Sequence, residues 1–383
     1  MKSFILPGRR GRRRAARRRK LGAAGRVGCD VRPRRRRLDD RGGFPVYAAV
    51  ADFDIPFPVF VVDVGGTNAR FALQPAPDAA LGAAIHLKTH DFPGLVEATE
   101  AAVASLGVRP SSLLVCGAGP VDGRKLKLTN APWRIDGPET ARRLGLAQGL
   151  LFNDFEAQAL SLPAIPQGWA RPIGPVGFGA RGPQVILGPG TGLGIGALIE
   201  AAGRHTPFAS EACHIDFGPV DDEESALWPR LERVYGRVTT ESVLAGPGLA
   251  RVHAARVATL GGPKSTLDAP AVVAAALADR SGEEAGSLRL YWRIVARFAG
   301  DMGVAFVATG GVTLAGGVLP RIVDFLDDAA FRRAFEAKAP VDALARRIPT
   351  RLVIRADAVL VGMAAIAAAP QRYAIDYAGR AWV

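Results

Sequence analysis

The chain has 383 residues, room for two domains and a sizeable core. About half the residues are apolar, 49%, yet no uninterrupted apolar run approaches the ~18–20 residues that cross a bilayer. The three cysteines, Cys29, Cys116 and Cys213, are too few and too scattered for a disulfide framework or a Cys-rich zinc site, which points to a reducing, cytoplasmic setting.

The net charge of +13 looks like a nucleic-acid signature until it is mapped. Residues 1–50 hold 17 Lys/Arg against three acids, whereas the remaining 333 hold 32 basic and 33 acidic side chains. The globular part is therefore neutral, and no nucleic-acid partner is expected for it. Runs such as Arg12–Arg14, Arg17–Lys20 and Arg34–Arg37 repel one another and build no core. Residues 1–50 read as a disordered Arg-rich extension. No apolar stretch of 7–15 residues follows the charges, so a secretory signal is excluded. The leader is expected to be non-native, with translation starting near Val50.

The first element is a hairpin. An apolar run from Val59 ends on Asp63, Gly65-Gly66-Thr67-Asn68 follows, and a second run leaves over Phe71–Leu73. Gly65 and Gly66 are expected to permit positive φ and close approach of an anion to main-chain N–H groups. Thr67 and Asn68 add short donors, and Asp63 suits a water on Mg²⁺. A plain tight hairpin is the competing reading.

A helix is predicted from Leu95, with Ala98, Ala102 and Leu106 on one face. Then come a strand over Leu113–Cys116, a β-ribbon near Lys125–Thr129, and a helix over Pro138–Leu144. The strand Gly149–Phe152 ends in Asn153-Asp154-Phe155, ahead of a helix over Glu156–Leu162. Polar residues at a strand's carboxyl end suit a ligand site, although Asn153 and Asp154 are equally suited to cap the helix. Pro163–Gly182 reads as a loop crossing between two lobes.

The opening grammar then repeats. Gln184–Leu187 and Ile195–Ile199 are strands around Gly188-Pro-Gly190-Thr191-Gly192-Leu-Gly194. Two such turns facing across a cleft would grip a polyphosphate from both sides. Gly262-Pro263-Lys264-Ser265 lacks Walker spacing and is set aside. Glu211 and His214 offer only a superficial metal pair, with no third ligand evident; a polyol suits them better. Glu241 sits in an expected first turn, a place that an acid also takes for the helix dipole. Helices are predicted near 247–260, 270–280 and 285–308. The last carries Leu288, Tyr291, Val295, Phe298, Met302 and Ala305 as a core stripe. A strand over Val312–Leu314 ends at Ala315-Gly316-Gly317-Val318, whose glycines suit either a flat ring or a tight turn. Strand Arg351–Arg355 and helix Ala358–Ala369 close the fold, and Pro370–Val383 reads as a loosely packed end.

The ordered set Asp63-Val-Gly-Gly-Thr-Asn-Ala-Arg70, Leu128-Thr-Asn130, Asn153-Asp154-Phe155, Gly188–Gly194, Glu211-x-x-His214-x-Asp-Phe217, Glu241–Leu249 and Ala315–Val318 resembles the bacterial glucokinases. These belong to the hexokinase-like, actin-type ATPase superfamily, and the likeness covers roughly Phe57 to Ala369. The resemblance implies an α/β, two-lobed actin-like (ribonuclease H-like) fold with mixed sheets flanked by helices and a cleft between lobes. Residues 55–164 plus 356–372 would form a small α/β domain and 165–355 a large one. It implies ATP-dependent phosphorylation of D-glucose at the 6-hydroxyl, feeding glycolysis, with Asp154 as general base. Asn130, Asn153, Glu211, His214 and Glu241 would bind the sugar with Asp154. Asp63, Gly65, Gly66, Thr67 and Asn68, with Gly190, Thr191 and Gly192, would hold ATP phosphates and Mg²⁺, and Gly316 and Gly317 the adenosine. Glucose and ATP are the implied partners, with a homodimer suggested and no membrane.

One departure concerns sugar selectivity: Ala212 and Cys213 stand where the family pattern places Gly-Gly. Three rivals remain: a kinase of mannose, fructose or an amino sugar, a catalytically weak sugar-sensing regulator, and a chaperone-type ATPase. The regulator would need a helix-turn-helix module for which the leader has no periodicity, and the ATPase gives the polar set at 211, 214 and 241 no purpose.

Overall fold

Two sheets carry the fold, and both begin the same way. The structure is a computed structural model that describes residues 53–382 apart from Asn130. The Arg-rich leader and the expected contact at Asn130 therefore lie outside the described residues.

In the first sheet, Val59–Val64 pairs antiparallel with Asn68–Gln74, which pairs with Ile85–Lys88. On the other side Val59–Val64 runs parallel to Ser112–Gly117, which runs parallel to Gln148–Asn153. Parallel strands covered on both faces need apolar side chains at every position, and five of the six residues of Val59–Val64 are buried. The half-buried exception is Asp63. In the second sheet Gln184–Pro189 pairs antiparallel with Leu193–Ala201, then Arg204–Ala209. It runs parallel to Gly311–Leu314, which runs parallel to Thr350–Val353. Each sheet is thus a three-strand meander whose first strand begins a parallel run.

The second sheet has one strand more. Ala170–Ile173 pairs antiparallel with Thr350–Val353, inside the stretch expected to be loop throughout. Pro172 hides it from a propensity reading, and an edge position tolerates a proline because no neighbour needs its N–H.

Between the sheets lie two packed helices, Asp154–Ser161 and Ala358–Ala368. A glycine at 362 lets them touch, since a Cβ there would run into Ser161. Their core joins Val59, Val61 and Phe152 of the first sheet to Ile186 and Leu198 of the second. The long helix Glu283–Ala305 buries the expected stripe at Leu288, Tyr291, Val295, Phe298 and Met302, whereas Ala305 is exposed.

The chain end corrects the expectation of loose packing. Tyr373, Ile375 and Tyr377 are buried, and Trp382 is wholly so. Its backbone exchanges hydrogen bonds with Gly149, N–H to carbonyl at 2.9 and 3.1 Å. Its indole fills the room that Gly137 and Gly149 leave by lacking side chains. Among the described residues no helix is long and apolar enough to cross a membrane.

Candidate active site

The helix Asp154–Ser161 starts within the field of Asp63 on the first hairpin and against Gly194 of the second. Asn153 is its N-cap: Oδ1 accepts from the N–H groups of Phe155 and Glu156, at 3.0 and 3.3 Å. Its Nδ2 donates to the Gly119 carbonyl at 3.1 Å. The cap reading is therefore satisfied, and one amide N–H remains for a ligand. Asp154 follows as the first helical residue. A carboxylate there is favoured by free N–H groups and the helix dipole, yet its pKa is raised to about 6. Burial is the larger cause, and the negative charge of Asp63 adds to it.

Asp63 is the penultimate residue of the first strand. One of its oxygens is paired with the Arg70 guanidinium, across the hairpin in register. The other accepts the Cys116 thiol at 3.4 Å. Arg70 also donates to the Ala356 carbonyl at 2.7 Å. The hairpin's acid is thus held by its own arginine, a pairing the sequence reading did not foresee. Beyond it Gly66, Thr67 and Asn68 are exposed. Gly65 does not occupy the left-handed region, contrary to expectation. Its N–H closes the turn on the Asn68 carbonyl at 2.9 Å, and a Cβ would press on that oxygen.

Phe155 links Asp154 to the second hairpin. Its ring lies where a Cβ of Gly194 would stand, so the Gly-rich sequence there makes room for the helix. Two residues earlier, a Cβ on Gly192 would approach Glu241 Oε2 to 2.7 Å. That carboxylate accepts the Leu193 N–H at 3.0 Å. The turn Gly190-Thr191-Gly192 is closed by Gly190 N–H to Gly192 O at 2.7 Å, and Gly246 N–H binds Gly190 O at 2.8 Å. Against the same backbone lies Gly316, whose φ of +85° suits glycine and whose Cβ would strike Pro189.

Glu211, His214 and Glu241 form the third group. Thr240 Oγ1 donates to the carbonyls of Ala212 and Cys213, and Arg237 donates to His214 O. These bonds pin the Ala212–His214 turn beside Glu241. His214 Nε2 lies 3.5 Å from Glu211 Oε2 and Nδ1 lies 3.9 Å from Glu241 Oε1. The Glu211 side chain is 87% exposed, His214 55% and Glu241 36%, so all three face solvent. Beneath them the buried Cys213 thiol is pushed up to about 12 by burial and the carboxylates of Glu241 and Glu211.

A cavity of about 1430 Å³ opens beside the second turn. Gly190, Thr191 and Gly317 line it, as do Pro247, Arg251, Lys264 and Arg321, to which the sequence reading gave no role. Lys264 belongs to the segment set aside for its spacing. Only tertiary folding of the loop between helices Gly246–Thr259 and Ala269–Ala278 brings it to this wall.

The profile of the family described as Glucokinase matches residues 60–370. The glucokinase of Sinorhizobium medicae (strain WSM419) is 38% identical over 336 residues, 87% of this chain and 98% of that one. Among solved structures, a glucokinase from an Antarctic psychrotroph superposes with a TM-score of 0.74 at 29% identity, over 82% of this chain and 98% of that one. A Balamuthia mandrillaris glucokinase, solved in complex with glucose, shares the fold at TM-score 0.66 and 21% identity, over 81% and 93% of the two chains. The repeated hairpin-led sheets are those of the actin-like ATPase fold, and the chain belongs to the glucokinase family.

Proposed function

We propose that this protein transfers the γ-phosphoryl group of ATP to the 6-hydroxyl of D-glucose, with Asp154 taking the hydroxyl proton. The observation that carries this reading is a carboxyl with a pKa near 6 at the start of a helix between two glycine-turned hairpins. A base with proton affinity close to the working pH is ionised yet still able to hold a proton in the transition state. Phosphoryl transfer otherwise asks for alignment and for charge stabilisation on the moving group.

Glu211, His214 and Glu241 would accept and donate to the sugar hydroxyls, with the remaining amide N–H of Asn153 and with Asn130. The Gly190-Thr191-Gly192 turn and Gly316-Gly317 would receive the nucleotide, whose base and ribose suit the adjoining cavity. The Asp63–Asn68 turn would meet the phosphates from the other side. Glu241 touches both groups through Leu193, so sugar and nucleotide sites share a wall. The donor set also suits Mg²⁺: Asp63 and Asp154 are close enough for their charges to interact, and hard oxygen donors with room for waters are what this ion takes. Asp63 would hold it through water, and the ion when bound would neutralise phosphate charge.

The division into 55–164 plus 356–372 and 165–355 then supplies two lobes that exclude water on closing. This reading places the protein in the cytoplasm at the entry to glycolysis, as a homodimer. The identity with the Sinorhizobium medicae protein and the glucose bound by the Balamuthia mandrillaris protein support it.

The test is a coupled ADP assay over glucose, mannose, fructose and glucosamine, together with glucose titration calorimetry on Asp154→Asn. Glucose is expected to give the highest kcat/KM. The variant is expected to keep glucose affinity and lose about 10²–10⁴-fold in turnover. Near-normal turnover removes Asp154 from the base role, and a stronger response to another sugar replaces glucose.

A further inference from the structure

The turn assigned to the sugar holds a donor that a sugar has no use for. Glu211, Cys213 and His214 bring a carboxylate oxygen, a thiol sulfur and an imidazole nitrogen within 4.8 Å of one another. Cys213 Sγ lies 3.8 Å from Glu211 Oε2, and His214 Nε2 lies 3.5 Å from that same oxygen. Ligands that stand ~2.0–2.3 Å from a tetrahedral zinc ion are separated by roughly 3.3–3.8 Å. Two of the three separations are already of that size, and the third, between the Cys213 sulfur and the His214 imidazole, is at most 4.8 Å.

The arrangement has a direction. Cys213 is buried, whereas Glu211 and His214 face solvent. An arriving ion meets imidazole and carboxylate first and finds the softer sulfur behind them. Glu241, 3.9 Å from the other nitrogen of His214, supplies further negative charge. The Thr240 hydroxyl clasps the carbonyls of 212 and 213, so the spacing is set by the folded backbone as well as by side-chain rotamers.

We propose that Glu211, Cys213 and His214 form a site for a borderline-soft divalent cation, zinc above all, and that the ion and the sugar exclude one another. Nitrogen and sulfur donors favour zinc, while Mg²⁺ prefers an all-oxygen shell, so MgATP leaves the site open. Binding moves the thiol proton to solvent and forms a thiolate–metal bond, with no change of oxidation state. The exclusion rests on the sugar reading of Glu211 and His214; the metal site itself does not.

The experiment uses the full chain, zinc ion alone at buffered free concentrations, and a chromophoric chelator as competitor. Wild type is expected to take up one ion tightly in the absence of glucose. Cys213→Ala and the more conservative Cys213→Ser are expected to bind it at least tenfold more weakly. Cys29 and Cys116 are present in every protein, so their contribution cancels. Equal zinc affinity in wild type and both variants overturns the site. Glucose is expected to weaken zinc uptake in step with its own saturation; cysteine-dependent uptake that glucose does not disturb overturns the exclusion and leaves the metal site standing. In turnover, inhibition should be relieved by glucose at fixed MgATP, whereas relief by MgATP alone refutes control through the sugar turn. Absence of glucose phosphorylation in metal-free wild type is a failure of the sugar reading, and the zinc titration is decided independently of it.

Discussion

A base whose proton affinity is set by burial should announce itself in the pH profile of the enzyme before glucose binds. Asp154 has a pKa of about 6, where an ordinary aspartate titrates near 3.8. In the base role proposed for it the competent form is the carboxylate, so activity should fall as pH drops through that value. At pH 7 about nine-tenths of the molecules carry the ionised group, and at pH 5 about one-tenth do. The limiting slope kcat/KM for glucose should therefore fall about tenfold between pH 7 and pH 5. An aspartate at its usual value would lose less than about a tenth over the same interval. The measurement is the initial rate of ADP formation at limiting glucose and saturating MgATP, from pH 5 to pH 8. Circular dichroism at each pH separates titration of the site from loss of fold. A flat profile from pH 7 to pH 5 in folded protein would refute the claim that this burial and the neighbouring Asp63 govern the base. The sign for stability runs the same way. A carboxyl whose folded pKa is raised opposes folding once ionised, so its share of stability is fullest below pH 4 and is lost as pH rises through 6.

Three other outcomes follow from the contacts. Glu241→Gln weakens a charge-assisted bond to the Leu193 N–H, on a scale of about 1 kcal/mol. Both KM for glucose and KM for ATP should rise by several fold in steady-state kinetics, and a change in the sugar term alone argues against the shared wall. Gly194→Val drives a side chain into the Phe155 ring; because Asp154 is the next residue, kcat should drop by at least ~10²-fold, a loss typical of misplaced reacting groups. Trp382→Ala empties a wholly buried site between Gly137 and Gly149, which should cost roughly 3–5 kcal/mol in denaturant unfolding. An unchanged midpoint would mean that the chain end contributes little after all.

Legibility followed the range of the interactions. The two hairpins could be read because β-branched runs bracket each glycine turn, a pattern complete within about fifteen residues. The long helix could be read because its stripe recurs over about five turns, and only Ala305, at the helix end, falls outside the core. Ala170–Ile173 could not, since four residues with a proline become a strand only by joining Thr350–Val353. The burial of Trp382 depends on two absent side chains more than 230 residues away. Within the site, Asn153 and Asp154 announced a strand–helix junction and left two readings open; the structure gives Asn153 the cap and leaves Asp154 within the field of Asp63. The Arg70 pairing on Asp63 was written in the register of the first hairpin, where the two residues stand opposite. Cys213 was passed over because a ligand set was sought by spacing familiar from helices. Here a tight turn gathers its three donors within four residues.

The position of the helix Asp154–Ser161 has a consequence for idle turnover. Its first residue feels a charge that belongs to one sheet, while its second leans on a glycine that belongs to the other. Were the sheets to swing apart, Asp63 would recede and water would reach the carboxyl, and both changes make it a weaker base. An open molecule then holds a poor proton acceptor and a closed one a good acceptor. Basicity becomes a readout of closure, and stray water in an empty cleft meets a group with little appetite for its proton.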